Sequence, residues 1–170
     1  MGPGGQTGTS AGDPNCGNGG GYNGCPVVDY VGTSYGTGFD ARGGGVYATQ
    51  WTSDFIKIWY FPYDQVPRDI SVGNPNPAGW SPPAANFGGC NFDNYIRNQQ
   101  IIFDVSRRNE VMERRVLTRL QNTFCGGWAG GVWRQSQCSK QNPSCVNFVA
   151  SQPQVYQAAY WLVDSVKVYQ

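Results

Sequence analysis

The sequence predicts an all-β domain with long loops, and three features of its composition carry that prediction. Charged residues make up only 14% of the chain, against about 25% in typical soluble domains. Glycine and proline contribute 24 and 11 of the 170 residues, which indicates many turns. Aromatic residues account for another 14% and can fill a packed core. A turn-rich, weakly charged chain of this kind favours a β-domain over a helical one.

A β-hairpin is the clearest local element. Residues 46–51 and 55–61 are rich in β-branched and aromatic side chains, and a short polar connection, residues 52–54, joins them. Two such runs with a short link predict an antiparallel hairpin whose second strand ends at Pro62. The proline-rich residues 62–89 that follow are expected to form a long ordered loop over a sheet.

The other predicted elements are shorter. We expect irregular loop over residues 1–24, because that stretch is rich in glycine and small polar residues. Residues 101–103 predict a short buried strand, residues 145–156 one or two helical turns broken by Pro153, and residues 159–169 a final strand. Four or five strands suggest a sandwich but are too few to close one.

Residues 105–121 differ in composition from the rest of the chain. They contain no glycine, proline or aromatic residue, and they hold five arginines together with the only two glutamates, Glu110 and Glu113. Met112, Val116 and Leu120 recur every four residues, which predicts an amphipathic helix. The segment can be a solvated helical insertion or a basic helix that contacts nucleic acid or an anionic membrane. We favour a third interpretation, a translated retained intron, because the codons for its ends can supply splice signals.

The cysteines predict disulfides. Their number is even, their spacing is not that of a zinc site, and the chain has no histidine, so we expect no metal and an oxidising compartment. We predict that Cys16 pairs with Cys25, Cys90 with Cys125, and Cys138 with Cys145. The sequence shows neither a signal peptide nor a membrane-spanning run. A disulfide-rich chain without a leader indicates a piece whose N-terminus is missing.

A stretch of ten residues, 124–133, combines one cysteine with four glycines and two tryptophans. A tryptophan on a glycine-rich scaffold offers a flat apolar face that can stack against a sugar ring, which makes Trp128 a candidate binding residue. The alternative is that Trp128 and Trp133 are core residues of the β-domain.

Several motifs in this order resemble the fungal glycoside hydrolases of family 16, the laminarinase-like endo-β-1,3(4)-glucanases. With residues 105–121 omitted, the chain reads Ile-Ile-Phe-Asp-Asn-Thr-Phe-Cys-Gly-Gly-Trp-Ala-Gly up to Gly130. Further matches lie at residues 43–48, 56–62, 69–80 and 160–170. The resemblance implies a partial family 16 domain over residues 1–170, with a concanavalin-like jelly-roll β-sandwich. It also implies a secreted retaining glucanase as the parent, β-glucan as the ligand, and Trp128 as a residue that stacks on glucan beyond the cleavage point.

The departures from the family pattern concern the catalytic groups. The family's E-x-D-x-x-E motif is absent, so no catalytic residue is assigned, and Gly127 and Gly131 replace a family Asp and a common Asn. The sequence leaves open whether the chain is an enzyme. It fits a glucanase fragment that is inactive alone, or a non-catalytic, lectin-like glucan-binding remnant. We expect a monomer with no cofactor and no nucleic-acid or membrane partner, in which Asp64 and Asp69 cap turns rather than form a catalytic dyad.

Overall fold

The computed structural model describes residues 5–10, 26–29, 31–105, 118–122, 124–157 and 162–169. The chain forms two compact units, Met1–Arg97 and Asn98–Gln170, and each has its own strands and helices. Within the described residues, no helix is long and apolar enough to cross a membrane.

The first unit begins with a two-stranded ribbon. Strand β1, Thr9–Ser10, pairs antiparallel with β2, Val27–Val28. The preceding residues attach this ribbon to a proline-rich segment, because Thr7 and Gly8 donate backbone hydrogen bonds to the carbonyls of residues 83 and 84 at 2.9 and 3.0 Å. The loop predicted for residues 1–24 is therefore interrupted by one short strand, and residues 1–4 and 11–24 lie outside the described residues.

The predicted hairpin is confirmed. After the short helix α1, Gly36–Ala41, strand β3 spans Gly45–Trp51 and pairs antiparallel with β4, Phe55–Pro62. Thr52 organises the turn, since its hydroxyl accepts hydrogen bonds from the N–H groups of residues 54 and 55 at 3.3 and 3.1 Å. The polar connection therefore supplies the hydrogen bonds that the end of a hairpin needs.

The loop predicted for residues 62–89 contains a strand. It carries the short helix α2, Arg68–Ser71, and then β5, Ala85–Gly88, which pairs antiparallel with β4. The result is a three-stranded sheet in the order β3-β4-β5. The loop prediction is wrong for residues 85–88, because a four-residue strand that follows two prolines and contains Asn86 has too little alternation to be recognised from sequence.

The two faces of this sheet carry different aromatic side chains. Trp59 and Phe61, which are 3% and 7% exposed, point to one face and contact the loop around Trp80. Tyr47 and Tyr60 oppose each other across the β3–β4 pair and therefore share the other face. One face is thus covered by the chain's own loop, and the other carries tyrosines.

The second unit holds a parallel strand pair. Strand β6, Ile101–Val105, pairs with β7, Thr118–Asn122. The strand predicted at residues 101–103 is confirmed, but the predicted burial is wrong at Ile101, which is 41% exposed. The predicted helix over 105–121 is wrong at residues 105 and 118–121, where backbone pairing overrides a weak helical periodicity. Residues 106–117, and with them Glu110 and Glu113, lie outside the described residues.

Short helices make up the rest of this unit. Helix α3 spans Gly127–Val132, and α4 spans Cys145–Ser151. Pro153 begins a 3-10 turn that ends at Tyr156, so the predicted helical turns around a proline break are confirmed. The final strand prediction is wrong for residues 162–169, which form no regular element. Residues 159–161 and 170 lie outside the described part of the chain.

The cysteine pairing differs from the prediction. Cys125 is bonded to Cys145, while Cys90 and Cys138 have free thiols. The predicted pairs Cys90–Cys125 and Cys138–Cys145 are therefore wrong, because each needs a sulfur that the Cys125–Cys145 bond already uses. Sequence spacing alone does not determine connectivity. The predicted Cys16–Cys25 pair lies outside the described residues.

Candidate functional site

The tyrosine-bearing face of the β3-β4-β5 sheet forms the floor of an open groove of about 500 Å³. Ile58 of β4 pairs with Ala85 of β5, and Ile56, two residues earlier on β4, pairs with Phe87. Because side chains alternate along a strand, those of Ile58, Ala85 and Phe87 lie on the same face as Tyr47 and Tyr60. The walls of the groove are formed by residues on either side of position 30, namely Pro26, Val27, Asp29, Ser34 and Tyr35. The groove therefore combines an apolar floor with a rim that carries hydroxyl and carboxyl groups.

Three aromatic rings reinforce one end of the groove. Phe39 lies nearly parallel to Tyr47, with ring centroids 5.9 Å apart and an interplanar angle of 17°. Tyr60 contacts both rings, at 5.2 Å from Tyr47 and 5.9 Å from Phe39. Contacts of this kind contribute beyond simple burial, so the rings hold one another in place.

The hydroxyl groups at this end are neutral donors at ordinary pH. Tyr47 donates a hydrogen bond to the backbone carbonyl of Ser34. Burial raises the pKa of Tyr47, and the charge interaction with Tyr60 raises it further. Burial also raises the pKa of Tyr60, against the opposing effects of nearby Thr33 and Arg42. Both phenols therefore stay protonated at neutral pH.

The opposite face of the sheet is closed by Trp80. Its ring meets Trp59 and Phe61 edge to face, at centroid distances of 5.1 and 5.3 Å. The indole of Trp59 donates to the carbonyl of Ser81 at 2.7 Å. These contacts fix the loop against the face of the sheet opposite Tyr47 and Tyr60.

Asp69 holds that loop in its conformation. Its carboxylate accepts hydrogen bonds from the N–H of Asn76 at 2.6 Å, from the indole of Trp80 at 2.8 Å and from the N–H of Ile70 at 2.9 Å. The bond from Asn76 is the main reason why the pKa of Asp69 is lowered, although burial opposes it. The prediction that Asp69 caps a turn is confirmed. Asp64 instead forms a bidentate ion pair with Arg42, at 2.6 and 2.8 Å.

The glycine-rich stretch lies in the second unit. Trp128 is the second residue of α3, and its side chain lies outside the described residues. Trp133 is a packing residue: its indole donates to the carbonyl of Asn142 at 3.0 Å, and its ring lies 5.3 Å from that of Phe148. Phe148 is only 2% exposed. Of the two tryptophans, Trp133 therefore belongs to the core of this unit.

The backbone around α3 is open on one side. A Cβ added at Gly126 or Gly131 would meet no atom within 4 Å, whereas one at Gly130 would lie 3.0 Å from the carbonyl oxygen of Cys125. Cys125 itself has φ of +54°, a conformation rare for a residue with a side chain, and its bond to Cys145 anchors it. The start of α3 is thus fixed by the disulfide and unobstructed at two glycines.

The groove is the feature that sequence reasoning missed. Its residues come from segments far apart in the chain, so no single motif announces it. One signal was available: Tyr47 and Trp51 lie four residues apart on β3, and strand alternation puts them on one face. Both are well exposed, at 49% and 45%.

This chain belongs to glycoside hydrolase family 16. The sequence model of the XgeA-like, catalytic GH16 domain matches residues 4–169. The resemblance drawn from the sequence motifs is confirmed, and so is the fold class, a partial, mostly β jelly roll with a few short helices.

Fungal endo-1,3(4)-β-glucanases are among the relatives of this chain. The chain is 39% identical to an endo-1,3(4)-β-glucanase of Arthroderma benhamiae over 86% of its own length and 29% of the relative's. It is 40% identical to a probable endo-1,3(4)-β-glucanase of Neosartorya fischeri over 97% of its own length and 23% of the relative's. The chain thus spans about a quarter of the length of the curated relatives it matches.

Solved structures of the family show sequence similarity over about half of the chain. Laminarinase 16A from Phanerochaete chrysosporium, solved with 6-O-glucosyl-laminaritriose in donor and acceptor sites, is 39% identical. That match covers 51% of this chain and 30% of the laminarinase, with a TM-score of 0.45. An elongating family 16 β-1,3-glucosyltransferase is 36% identical over 54% of this chain and 31% of its own, with a TM-score of 0.46.

Proposed function

We propose that this chain is the glucan-binding part of a secreted endo-β-1,3(4)-glucanase and that it does not hydrolyse glucan by itself. The observation that carries the proposal is the family match over residues 4–169 in a chain whose only glutamates are Glu110 and Glu113. The match supports β-glucan as the ligand, and the missing E-x-D-x-x-E motif supports the lack of catalysis.

The chemistry of retaining hydrolysis gives the reason. It needs a nucleophile and an acid/base whose carboxyl groups lie about 5–5.5 Å apart on either side of the bond to be cut. Glu113 is followed at once by Arg114 and Arg115, and Glu110 lies four residues before Arg114. Neighbouring positive charge favours the ionised carboxylate, so neither glutamate is suited to donate a proton. Removing such groups from an enzyme commonly costs several orders of magnitude in rate.

We assign the binding of glucan in the second unit to Trp128. Its position at the start of α3, next to the unobstructed Gly126 and Gly131, supports access of a sugar chain to this turn. An indole ring offers both a flat apolar face and an N–H donor, which match the C–H face and the hydroxyl groups of a glucose unit.

Two measurements on the purified chain test the proposal. Reducing-sugar assays with laminarin and lichenan should detect no cleavage. Calorimetric titration with laminarihexaose should detect binding, and Trp128→Ala should weaken binding at the Trp128 site at least about tenfold, the equivalent of about 1.4 kcal/mol. Tyr63→Ala is the matched control, because Tyr63 is 73% exposed and lies outside the groove. Sugar release that disappears when an Asp or Glu is replaced would overturn the proposal.

A lectin-like remnant that only binds glucan is the second candidate. Gly127 and Gly131, in place of the family's acidic and amide residues, favour it because they remove polar groups from a cleft. Sequencing the transcript upstream distinguishes the two. A signal peptide and an in-frame E-x-D-x-x-E motif support the glucanase, whereas an upstream reading frame without that motif supports the remnant.

The proposal includes an extracellular location for the parent protein and a monomeric state for the chain. The even number of cysteines and the disulfide between Cys125 and Cys145 support an oxidising compartment. Light scattering after size exclusion would test the monomer, and a stable dimer would contradict it.

A further inference from the structure

The hydrogen bonds at the two ends of the β3–β4 hairpin determine which way the backbone groups of β3 point. At one end the N–H of Thr52 donates to the carbonyl of Phe55 at 2.9 Å, and at the other the N–H of Tyr63 donates to the carbonyl of Gly44 at 3.1 Å. Residues that bond to the partner strand alternate with residues that do not along an antiparallel pair. The even-numbered residues of β3 therefore bond to β4, and the odd-numbered residues direct their N–H and C=O groups away from it.

Tyr47, Thr49 and Trp51 carry outward backbone groups. Pro62, which has no N–H, pairs with the odd-numbered Gly45, as this alternation requires. Among the described residues, no hydrogen bond joins the outward N–H and C=O groups of Tyr47, Thr49 and Trp51 to another part of the chain, and all three residues are exposed. The outer edge of β3 is thus an accessible row of donors and acceptors that repeats about every 7 Å.

The sequence of β3 lacks the features that usually protect an edge strand. Folded proteins place charged residues, a proline, a bulge or a covering segment at such an edge. β3 reads Gly-Val-Tyr-Ala-Thr-Gln-Trp, with no charge and no proline, and its register with β4 runs from Gly45 to Trp51 without a bulge. An uncharged, regular strand of this length is suited to pair with another strand.

The opposite edge of the same sheet is protected. Strand β5 has only four residues, and the N–H of its Asn86 donates to the side chain of Gln6 at 3.0 Å. Just before β5, the carbonyls of residues 83 and 84 accept hydrogen bonds from Thr7 and Gly8. Of the two edges of this sheet, β3 is therefore the one left open by the described part of the chain.

The chemistry of the edge selects an extended polypeptide as its occupant. A row of alternating backbone donors and acceptors pairs with another strand, and the side chains beside the row determine which strand is accepted. Tyr47, Thr49 and Trp51 lie on one face of β3, and aromatic and β-branched residues pair favourably with such side chains across strands. An uncharged strand that is rich in those residues fits the edge.

The relatives indicate a source for this strand. The chain matches only about a quarter of the length of its curated relatives, so each relative contains further polypeptide that can supply one. The sheet has three strands, fewer than the usual four to six. A strand of the same polypeptide is present at a high effective concentration, whereas a second copy of the chain is not, which favours the parent as the source.

We propose that the outer edge of β3 is a docking site for a β-strand from the part of the parent protein outside this chain, and that this strand extends the sheet beside Tyr47, Thr49 and Trp51. The inference rests on the proposed function only for the existence of a longer parent, and it involves no glucan.

Amide hydrogen exchange resolved to single residues tests the proposal. In the free chain, the even-numbered N–H groups of β3 should exchange slowly, and those of Tyr47, Thr49 and Trp51 at least about tenfold faster. The probe is a form of the probable endo-1,3(4)-β-glucanase of Neosartorya fischeri from which the segment matched by this chain has been deleted. When the probe is co-expressed with the chain, the three outward groups should exchange at least about tenfold more slowly, and the inward groups should not change.

Two substitutions at one position separate the backbone group from the side chain. Thr49→Pro removes an outward N–H and no bond to β4, so the hairpin should persist and binding of the probe should weaken at least about tenfold. Thr49→Val keeps the N–H and a β-branched side chain, so it should bind like the wild type. Ala48→Pro is the folding control, because it removes an inward N–H and should disrupt the hairpin.

Each other outcome overturns the proposal. Slow exchange of the three outward groups in the free monomeric chain would mean that the chain itself occupies the edge. Protection that rises with the concentration of the chain alone would assign the edge to a second copy. No binding of the probe, binding without protection of the outward groups, or equal binding of Thr49→Pro and Thr49→Val would each exclude docking at β3. All of these are measured without sugar, so they leave the proposed function unchanged, which the laminarihexaose titration tests separately.

Discussion

Replacing Trp80 with alanine should unfold the loop that covers one face of the three-stranded sheet. The indole makes two edge-to-face contacts, with Trp59 and Phe61, at 5.1 and 5.3 Å. Each such pair contributes about 0.5–1.5 kcal/mol beyond burial. Removing a fully buried tryptophan costs about 3–5 kcal/mol. Trp80 is half-buried, so we expect a loss near the lower end, about 3 kcal/mol.

Urea unfolding followed by tryptophan fluorescence measures this loss. With a slope of about 2 kcal/mol per molar urea, Trp80→Ala should lower the midpoint by about 1.5 M. Trp80→Phe keeps an aromatic edge against Trp59 and Phe61 but loses the N–H that Asp69 accepts at 2.8 Å. Its midpoint should fall by less than half as much. A midpoint for Trp80→Ala within about 0.3 M of wild type, or equal effects of the two variants, would refute the argument that the ring contacts hold this loop.

Three other predictions follow from named contacts. Peptide mapping without reductant should find Cys125 linked to Cys145, and Cys125→Ser should cost about 3 kcal/mol for the loop of about 20 residues that the bond closes; a Cys90–Cys125 peptide would contradict the pairing. The pKa of Asp69 is lowered in the folded state. Its contribution to the free energy of unfolding is therefore fully present above the unfolded-state pKa of about 3.9 and is lost as pH falls through the lower folded-state pKa. The urea midpoint should therefore drop more between pH 5 and pH 2 in wild type than in Asp69→Asn, and equal drops would exclude the effect. The sequence predicts that residues 105–121 are an insertion outside the sandwich, and exposed insertions are nicked preferentially, so trypsin should cut first at the arginines of residues 106–117. A transcript without codons 105–121 would identify that segment as a retained intron; a mature transcript that keeps them would refute the intron.

Local chemistry was enough to predict the hairpin. Residues 46–51 and 55–61 combine β-branched and aromatic side chains with a polar turn, and the register that results, from Gly45 opposite Pro62 to Trp51 opposite Ile56, follows from that turn. Short elements whose pairing partners lie far away could not be predicted in the same way. Strand β5 exists because β4 offers a free edge, and its own sequence contains an asparagine and a glycine that strands usually avoid.

The errors in the second unit have a related cause. The spacing of Met112, Val116 and Leu120 indicated a helix, yet Leu120 lies in β7, opposite Phe103 of β6. A three-residue match to a helical period is weak evidence, and strand pairing decides the conformation where a partner is present. The candidate site residues likewise include one that a local motif indicates and others that are brought together only by folding. Trp128 was predicted from a local motif and stays a prediction, whereas the groove combines residues between Pro26 and Phe87 and needs the folded chain to be recognised.

Three aspartates of the described part of the chain are engaged in structural contacts. Of the described carboxylates, Asp64 is paired with Arg42, Asp69 accepts three hydrogen bonds within its own loop, and Asp93 accepts from Ser53 at 2.5 Å. Each of these groups stabilises a turn or an ion pair, and in Asp69 the donors favour the charged form and lower the pKa of the carboxyl group. Stacking on aromatic rings needs no proton transfer and depends only on exposed rings that are fixed in place. Tyr47 meets that condition, because Phe39 stacks on its ring and its hydroxyl donates to the carbonyl of Ser34.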